Sequence, residues 1–184
     1  MMSILGKFLF QLIGWKYKGE YPGNDKSFVI IIAPHTSNWD VPIGLFLKFW
    51  LNIKSSFYVK SEIFFPPLGW LLKALGALPV VRSRSTRFVN HVIEDFRKRK
   101  NHRIIITPEG TRKGVDKFKT GFYHIAYGAK VPILPILFDY VNKQITFKDF
   151  IYPSGDAKKE IPEIEKMFEG VKGKYPERSF RSSE

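Results

Sequence analysis

Six consecutive apolar residues, Phe28-Val-Ile-Ile-Ile-Ala33, constrain the fold more than any other stretch of the chain. The run has no polar alternation, so neither side of it can face water. Its β-branched Val29, Ile30, Ile31 and Ile32 favour an extended backbone. A strand buried on both faces belongs to a sheet covered by helices on both sides, and Pro34 ends it at once.

Helical and strand patterns alternate around this run. Residues 38–52 read as a helix, 56–59 as a short strand, 66–74 as a helix closed by Gly76, and 78–81 as another strand. Phe88, Val92 and Phe96 recur at helical spacing and end in a basic turn, as a helix C-terminus favours. Strands follow at 103–107, 133–138 and 144–152, with a helix over 120–129 and a last helix beginning at Pro162. This order predicts a single α/β domain over residues 1–184, with a mixed, largely parallel sheet flanked by helices. The chain's 184 residues suit one core. Residues 176–184 read as a flexible tail.

Cysteine is absent, which excludes disulfides, thiolate nucleophiles and Cys-ligated metal sites. The formal net charge of +13 makes anions the preferred partners, nucleic acid, anionic lipid, coenzyme A and acidic carrier proteins among them. At the N-terminus, residues 1–18 read as an amphipathic helix, with Ile4, Leu5, Phe8, Leu12 and Ile13 at helical spacing and Trp15, Lys16 and Lys18 behind them. The stretch is too short to span a bilayer and lacks a secretory cleavage pattern. Its apolar face suits either a lipid interface or the cover of a core.

In open α/β sheets, ligands gather beyond the carboxyl ends of the strands. The unusual segments of this chain fall at such ends. His35 directly follows the buried strand and Asp40 opens the next helix, five residues on. A carboxylate at that distance can fix the imidazole's tautomer and leave its second nitrogen free to take a proton. The alternative is a helix start in which Asp40 serves the dipole and His35 is a bystander. Residues 107–112, Thr-Pro-Glu-Gly-Thr-Arg, form a tight loop suited to a phosphate or to an internal Glu–Arg pair. Arg82, Arg84 and Arg87 follow one strand, and Arg112, Lys113, Lys117 and Lys119 follow another. The two sets converge on His35 if the strands run the same way. His35, Asp40 and Glu109 could in principle hold a metal, but nothing in the sequence demands one. No Gly-x-Ser-x-Gly elbow or P-loop is present.

In order along the chain, His35-x-x-x-x-Asp40, Gly76 with Arg82 six residues on, Pro108-Glu-Gly-Thr-Arg112 and the Val131-Pro-x-x-Pro strand start resemble the four motifs of the glycerolipid acyltransferase family. Residues 118–121 and Lys60 match further positions of it. Two departures stand out: Thr107 replaces the family's usual Phe, and Val81 its common acidic residue. The resemblance implies transfer of a fatty acyl group from acyl-CoA or acyl carrier protein to a hydroxyl. The acceptor would be glycerol phosphate or a lysophosphatidic acid-like lipid in phospholipid biosynthesis. It implies His35 as general base and Asp40 as its partner. Arg82, Glu109, Gly110, Thr111 and Arg112 would hold the acceptor's glycerol phosphate, with Lys60 beside them, and Gly76, counted with the substrate-binding positions, would mainly permit close backbone approach. It implies neither metal nor cofactor. Backbone N–H groups near Gly110 are candidate oxyanion donors. With the amphipathic helix, the expected partners are an acyl-CoA or acidic carrier protein, an anionic membrane surface and a lysophospholipid. The expected location is cytoplasmic, attached peripherally to the inner face of a membrane. Two other classes compete: a basic nucleic-acid-binding module, for which no recognition signature is found, and a lipid-binding relative without catalysis.

Overall fold

A computed structural model describes residues 1–80 and 85–181. The elements are α1 (Met2–Leu12), β1 (Lys16–Lys18), β2 (Phe28–Ala33), α2 (Asp40–Trp50), β3 (Ser56–Lys60), α3 (Leu68–Ala74), β4 (Ala77–Val80), α4 (Ser85–Lys98), β5 (Arg103–Ile106), α5 (Gly121–Ala129), β6 (Ile133–Asp139), β7 (Gln144–Phe147) and α6 (Ala157–Lys166). The sheet order is β1-β7-β6-β2-β5-β3-β4. The apolar run thus occupies the middle of seven strands. β6, β2, β5, β3 and β4 are mutually parallel, and β7, with β1 parallel to it at the edge, runs against β6.

Alternate residues of β2 feed two cores. Phe28 and Ile30 join Phe10 of α1, Ile43 and Leu47 of α2, and Leu134, Ile136 and Phe138 of β6. Val29, Ile31 and Ala33 join Val92 and Phe96 of α4, Phe122 and Ile125 of α5, and Ile161 and Ile164 of α6. Period-two alternation in the strands thus divides one apolar sequence between two helical layers.

Four local expectations change. Residues 16–18 are not helical: they form an edge strand paired with β7, because Trp15 turns into the core beside Phe138 and Tyr140. The strand expected over 144–152 stops at Phe147 and resumes only as a bridge between Ile133 and Ile151. The last helix begins before Pro162, with the Asp156 carboxylate accepting the Lys159 N–H as its cap. Residues 176–181 are not a loose tail. Ser179 and Phe180 are buried, and Phe180 packs on Phe118.

α1 lies against α2 at close range, since a Cβ on Gly6 would sit 2.7 Å from the Phe46 carbonyl oxygen. Gly6 and Phe10 face inward, while Ile4, Leu5, Phe8 and Leu12 face solvent. The helix therefore covers core with one face and presents a second apolar face outward. Among the described residues, no helix is long and apolar enough to cross a membrane.

Candidate active site

His35 follows the carboxyl end of the central strand. Its ring meets Asp40 in the first turn of α2, with Nδ1 and Oδ2 2.8 Å apart. The turn between them is self-supporting: Asp40 Oδ2 also accepts the Ser37 N–H at 3.1 Å, and Ser37 Oγ accepts the Trp39 N–H. The position suits a carboxylate, because the start of a helix carries partial positive charge. Asp40 is 7% exposed, whereas the His35 side chain keeps 16% of its surface.

Arg112 identifies the tautomer. Its Nε–H donates to His35 Nε2 at 3.2 Å. A guanidinium can only donate, so Nε2 carries the lone pair and the ring proton sits on Nδ1, facing Asp40. The nitrogen able to take a further proton is the one turned toward the cationic loop.

Glu109 reaches under this turn, and its Oε2 accepts the His35 backbone N–H at 2.6 Å. It is 1% exposed, and its Oε1 has no hydrogen-bond partner among the described residues. Burial pushes its carboxyl up to about 7, against the pull of the His35 amide and ring and with a smaller push from Asp40. Its contacts are thus with the chain beneath the ring. Gly110 adopts φ +64°, and a Cβ there would meet the Lys119 side chain at 2.8–2.9 Å. Its N–H donates to the Thr107 carbonyl at 3.0 Å, so this amide, expected as an oxyanion donor, is already engaged. Thr111 Oγ1 accepts the Lys113 N–H, and Lys119 N–H binds the Pro108 carbonyl. Arg112 and Lys119 are exposed cations in this loop, and Lys60 is exposed at the parallel end of β3.

Not every expected residue joins this cluster. Gly76 precedes β4, at the opposite end of the parallel strands from His35, where its role is the close backbone approach expected of it. Its φ is +95°, and a Cβ would lie 2.6 Å from the Ser55 carbonyl oxygen. The residue is glycine because two chain segments touch there. Arg82 and Arg84 lie outside the described residues. His35, Asp40 and Glu109 converge, yet among the described residues no group of three such side chains could hold a metal ion.

Tyr140 is the site residue that sequence reading missed. Its hydroxyl donates to Asp40 Oδ1 at 2.6 Å. The signal lies in the period of β6: Leu134, Ile136 and Phe138 face the α1–α2 layer, and Tyr140 extends that row to where α2 begins.

Comparison with known proteins reports on the same segments. The family model described as Acyltransferase matches residues 16–139. A 1-acyl-sn-glycerol-3-phosphate acyltransferase of Escherichia coli is 32% identical over 74% of this chain and 58% of its own length. One of Limnanthes alba is 30% identical over 73% of this chain and 49% of its own. The chain therefore spans about half the length of these relatives. The crystal structure of the 1-acyl-sn-glycerophosphate acyltransferase PlsC of Thermotoga maritima superposes with a TM-score of 0.61 at 22% identity, covering 90% of this chain and 74% of that one, and it shares the fold.

Proposed function

This chain belongs to the acyltransferase family, and from that membership we propose that it moves a fatty acyl group from an acyl thioester to the hydroxyl of a 1-acyl-glycerol-3-phosphate-like acceptor. The observation that carries this reading is the oriented imidazole: Nδ1–H on Asp40, Nε2 with its lone pair toward the cationic loop. The printed names of the relatives supply the substrate class.

The chemistry follows from those atoms. An alcohol is a weak nucleophile until its proton is removed. His35 Nε2 takes that proton as the oxygen attacks the thioester carbonyl, and Asp40 stabilises the imidazolium that forms. The tetrahedral adduct collapses, the C–S bond breaks, and the imidazolium returns its proton to the departing thiolate. No enzyme nucleophile is needed, which suits a chain without cysteine. Arg112 supplies a phosphate partner, aided by Lys119 and Lys60, with Arg82 assigned by its motif. A phosphate paired with Arg112 draws the guanidinium from Nε2 and leaves the lone pair for the hydroxyl.

The donor carries phosphate or carrier-protein acidity, and the net charge of +13 suits both acyl-CoA and acyl carrier protein. The acceptor is a lipid, so the protein works at a membrane surface. The outward face of α1, with Ile4 76% exposed and Leu5, Phe8 and Leu12 beside it, suits insertion into a lipid interface. Phe65, Trp70 and Leu71 add a second exposed apolar group around α3. These features favour peripheral attachment to a membrane surface.

Thiol release and product mass, measured with palmitoyl-CoA and palmitoyl carrier protein against glycerol 3-phosphate and lysophosphatidic acid, test the reading. Phosphatidic acid formed with stoichiometric thiol is the expected result. Absence of transfer for every pair overturns it.

A further inference from the structure

Asp40 has two oxygens, and the His35 ring engages one of them. The other, Oδ1, accepts the hydroxyl of Tyr140 at 2.6 Å. Tyr140 is not a loosely placed side chain. Its backbone N–H binds the Lys172 carbonyl at 2.9 Å. Its ring meets Trp15 edge-on, with centroids 4.9 Å apart at 87°, and lies 5.8 Å from the Phe138 ring. The turn that carries it is pinned by Asp139, whose carboxylate accepts the N–H groups of Val141 and Asn142. Burial first, and then Asp40, raise the phenol above its ordinary value, so it remains a donor.

We propose that Tyr140 is a positioning residue of the acyl-transfer site, holding Asp40 in the rotamer that keeps the proton of His35 on Nδ1. The assignment rests on the acyl-transfer reading only for its kinetic consequences; its geometric content stands apart. Asp40 is nearly buried, and its Oδ2 is shared between the His35 ring and the Ser37 N–H. Without the phenol, Oδ1 loses the side-chain donor that opposes this pull. The carboxylate is then free to rotate about χ2, and its charge falls more heavily on the imidazole. Among the described residues, the charged or titratable groups facing His35 are Asp40 from α2 and Glu109 and Arg112 from the loop after β5. Tyr140 acts on it only through Asp40.

Tyr140→Phe keeps the ring and its contact with Trp15 and deletes the hydroxyl alone. It is expected to lower kcat about 10-fold with KM for both substrates unchanged. The acid limb of the pH profile of kcat/KM is expected to move to higher pH, because the imidazolium is held more tightly. Tyr123→Phe is the control: Tyr123 makes a similar phenol–carboxylate bond, to Glu160 at 2.7 Å, among the helices of the other core. Loss of that hydroxyl is expected to lower the melting temperature with kcat and the profile unmoved. Independently of activity, nitrogen NMR of 15N-histidine-labelled protein reads the His35 tautomer, with the signal assigned by its loss in His35→Ala. A single Nδ1–H tautomer in the wild type and a mixed or shifted one in Tyr140→Phe support the assignment. An identical His35 spectrum in the two proteins overturns it, whatever the assays show. If no donor–acceptor pair gives turnover, the acyl-transfer reading falls while the spectra still decide the role of Tyr140.

Discussion

The two ends of the parallel strands both bury charge, and they treat it in opposite ways. At the amino end, Arg103 donates to the carbonyls of Asn24, Lys26 and Lys54. Lys48 donates to the carbonyls of Ser55 and Leu75 at 2.7 and 3.0 Å. These cations are satisfied by main chain, and burial lowers Lys48 to about 8. At the carboxyl end, His35, Asp40, Tyr140 and Arg112 are tied to one another through side chains. Each end also buries one polar atom without a hydrogen-bond partner among the described residues, Glu109 Oε1 here and His102 Nε2 at the amino end. A charge saturated by carbonyls fixes the chain and has nothing left to exchange. A charge partnered by titratable side chains can pass a proton. On the proposed function, the chemistry belongs to the carboxyl end of the strands and the amino end is architecture.

The largest effect that sharpens this contrast is on turnover. His35→Ala removes the lone pair proposed to activate the acceptor, and kcat is expected to fall about 10³-fold or more, with Asp40→Asn about 10²-fold or more. Steady-state thiol release with thermal melts as the folding check measures both; near-normal turnover by His35→Ala would break the contrast. Next comes stability at the other end. Arg103→Gln strands buried carbonyls and is expected to cost about 2–4 kcal/mol in urea unfolding, with turnover per folded molecule preserved. Gly76→Ala forces a Cβ against the Ser55 carbonyl at a positive φ, and a loss of about 1–3 kcal/mol is expected, again without a change in specific activity.

The smallest effect is in pH dependence, where the ends oppose each other. His102, at the amino end, is lowered to about 4 by burial and then by Arg99, with Arg103 adding less and Asp95 opposing. The unfolded chain binds its proton near 6.5, so the stability it supports is complete above that pH and is lost as pH falls toward 4. Glu109, raised from 4.5 to about 7, does the reverse: the folded state binds its proton more tightly, so stability falls as pH rises from 4.5 to 7. Urea midpoints between pH 4.5 and 7 separate them. Glu109→Gln is expected to leave a curve that rises through this window, and His102→Phe one that falls. Two parallel curves would remove the distinction.

The sequence exposes some of this and hides the rest for physical reasons. Phe28–Ala33 announces a central strand, because six apolar residues without alternation tolerate water on neither face. His35 and Asp40 are readable because a single turn joins them. Gly76 is legible only as a glycine, since its position in the chain does not reveal that it precedes β4 and packs on the Ser55 carbonyl. Tyr140 stays hidden because its bond to Asp40 spans 100 residues and depends on β6 lying beside β2. Pro162 looks like a helix start, but the Asp156 cap six residues nearer the N-terminus outweighs one forfeited backbone hydrogen bond. Ser179 and Phe180 look like part of a tail because only the folded core shows the slot beside Phe118 that they fill.

The most direct measurement is the acyl-transfer rate per folded molecule of His35→Ala beside that of Arg103→Gln, with lysophosphatidic acid as acceptor. Transfer at background in the first and near wild type in the second is the expected result. Transfer that survives the loss of His35, or that disappears with Arg103 while the fold persists, contradicts the placement of catalysis at the carboxyl ends of the strands.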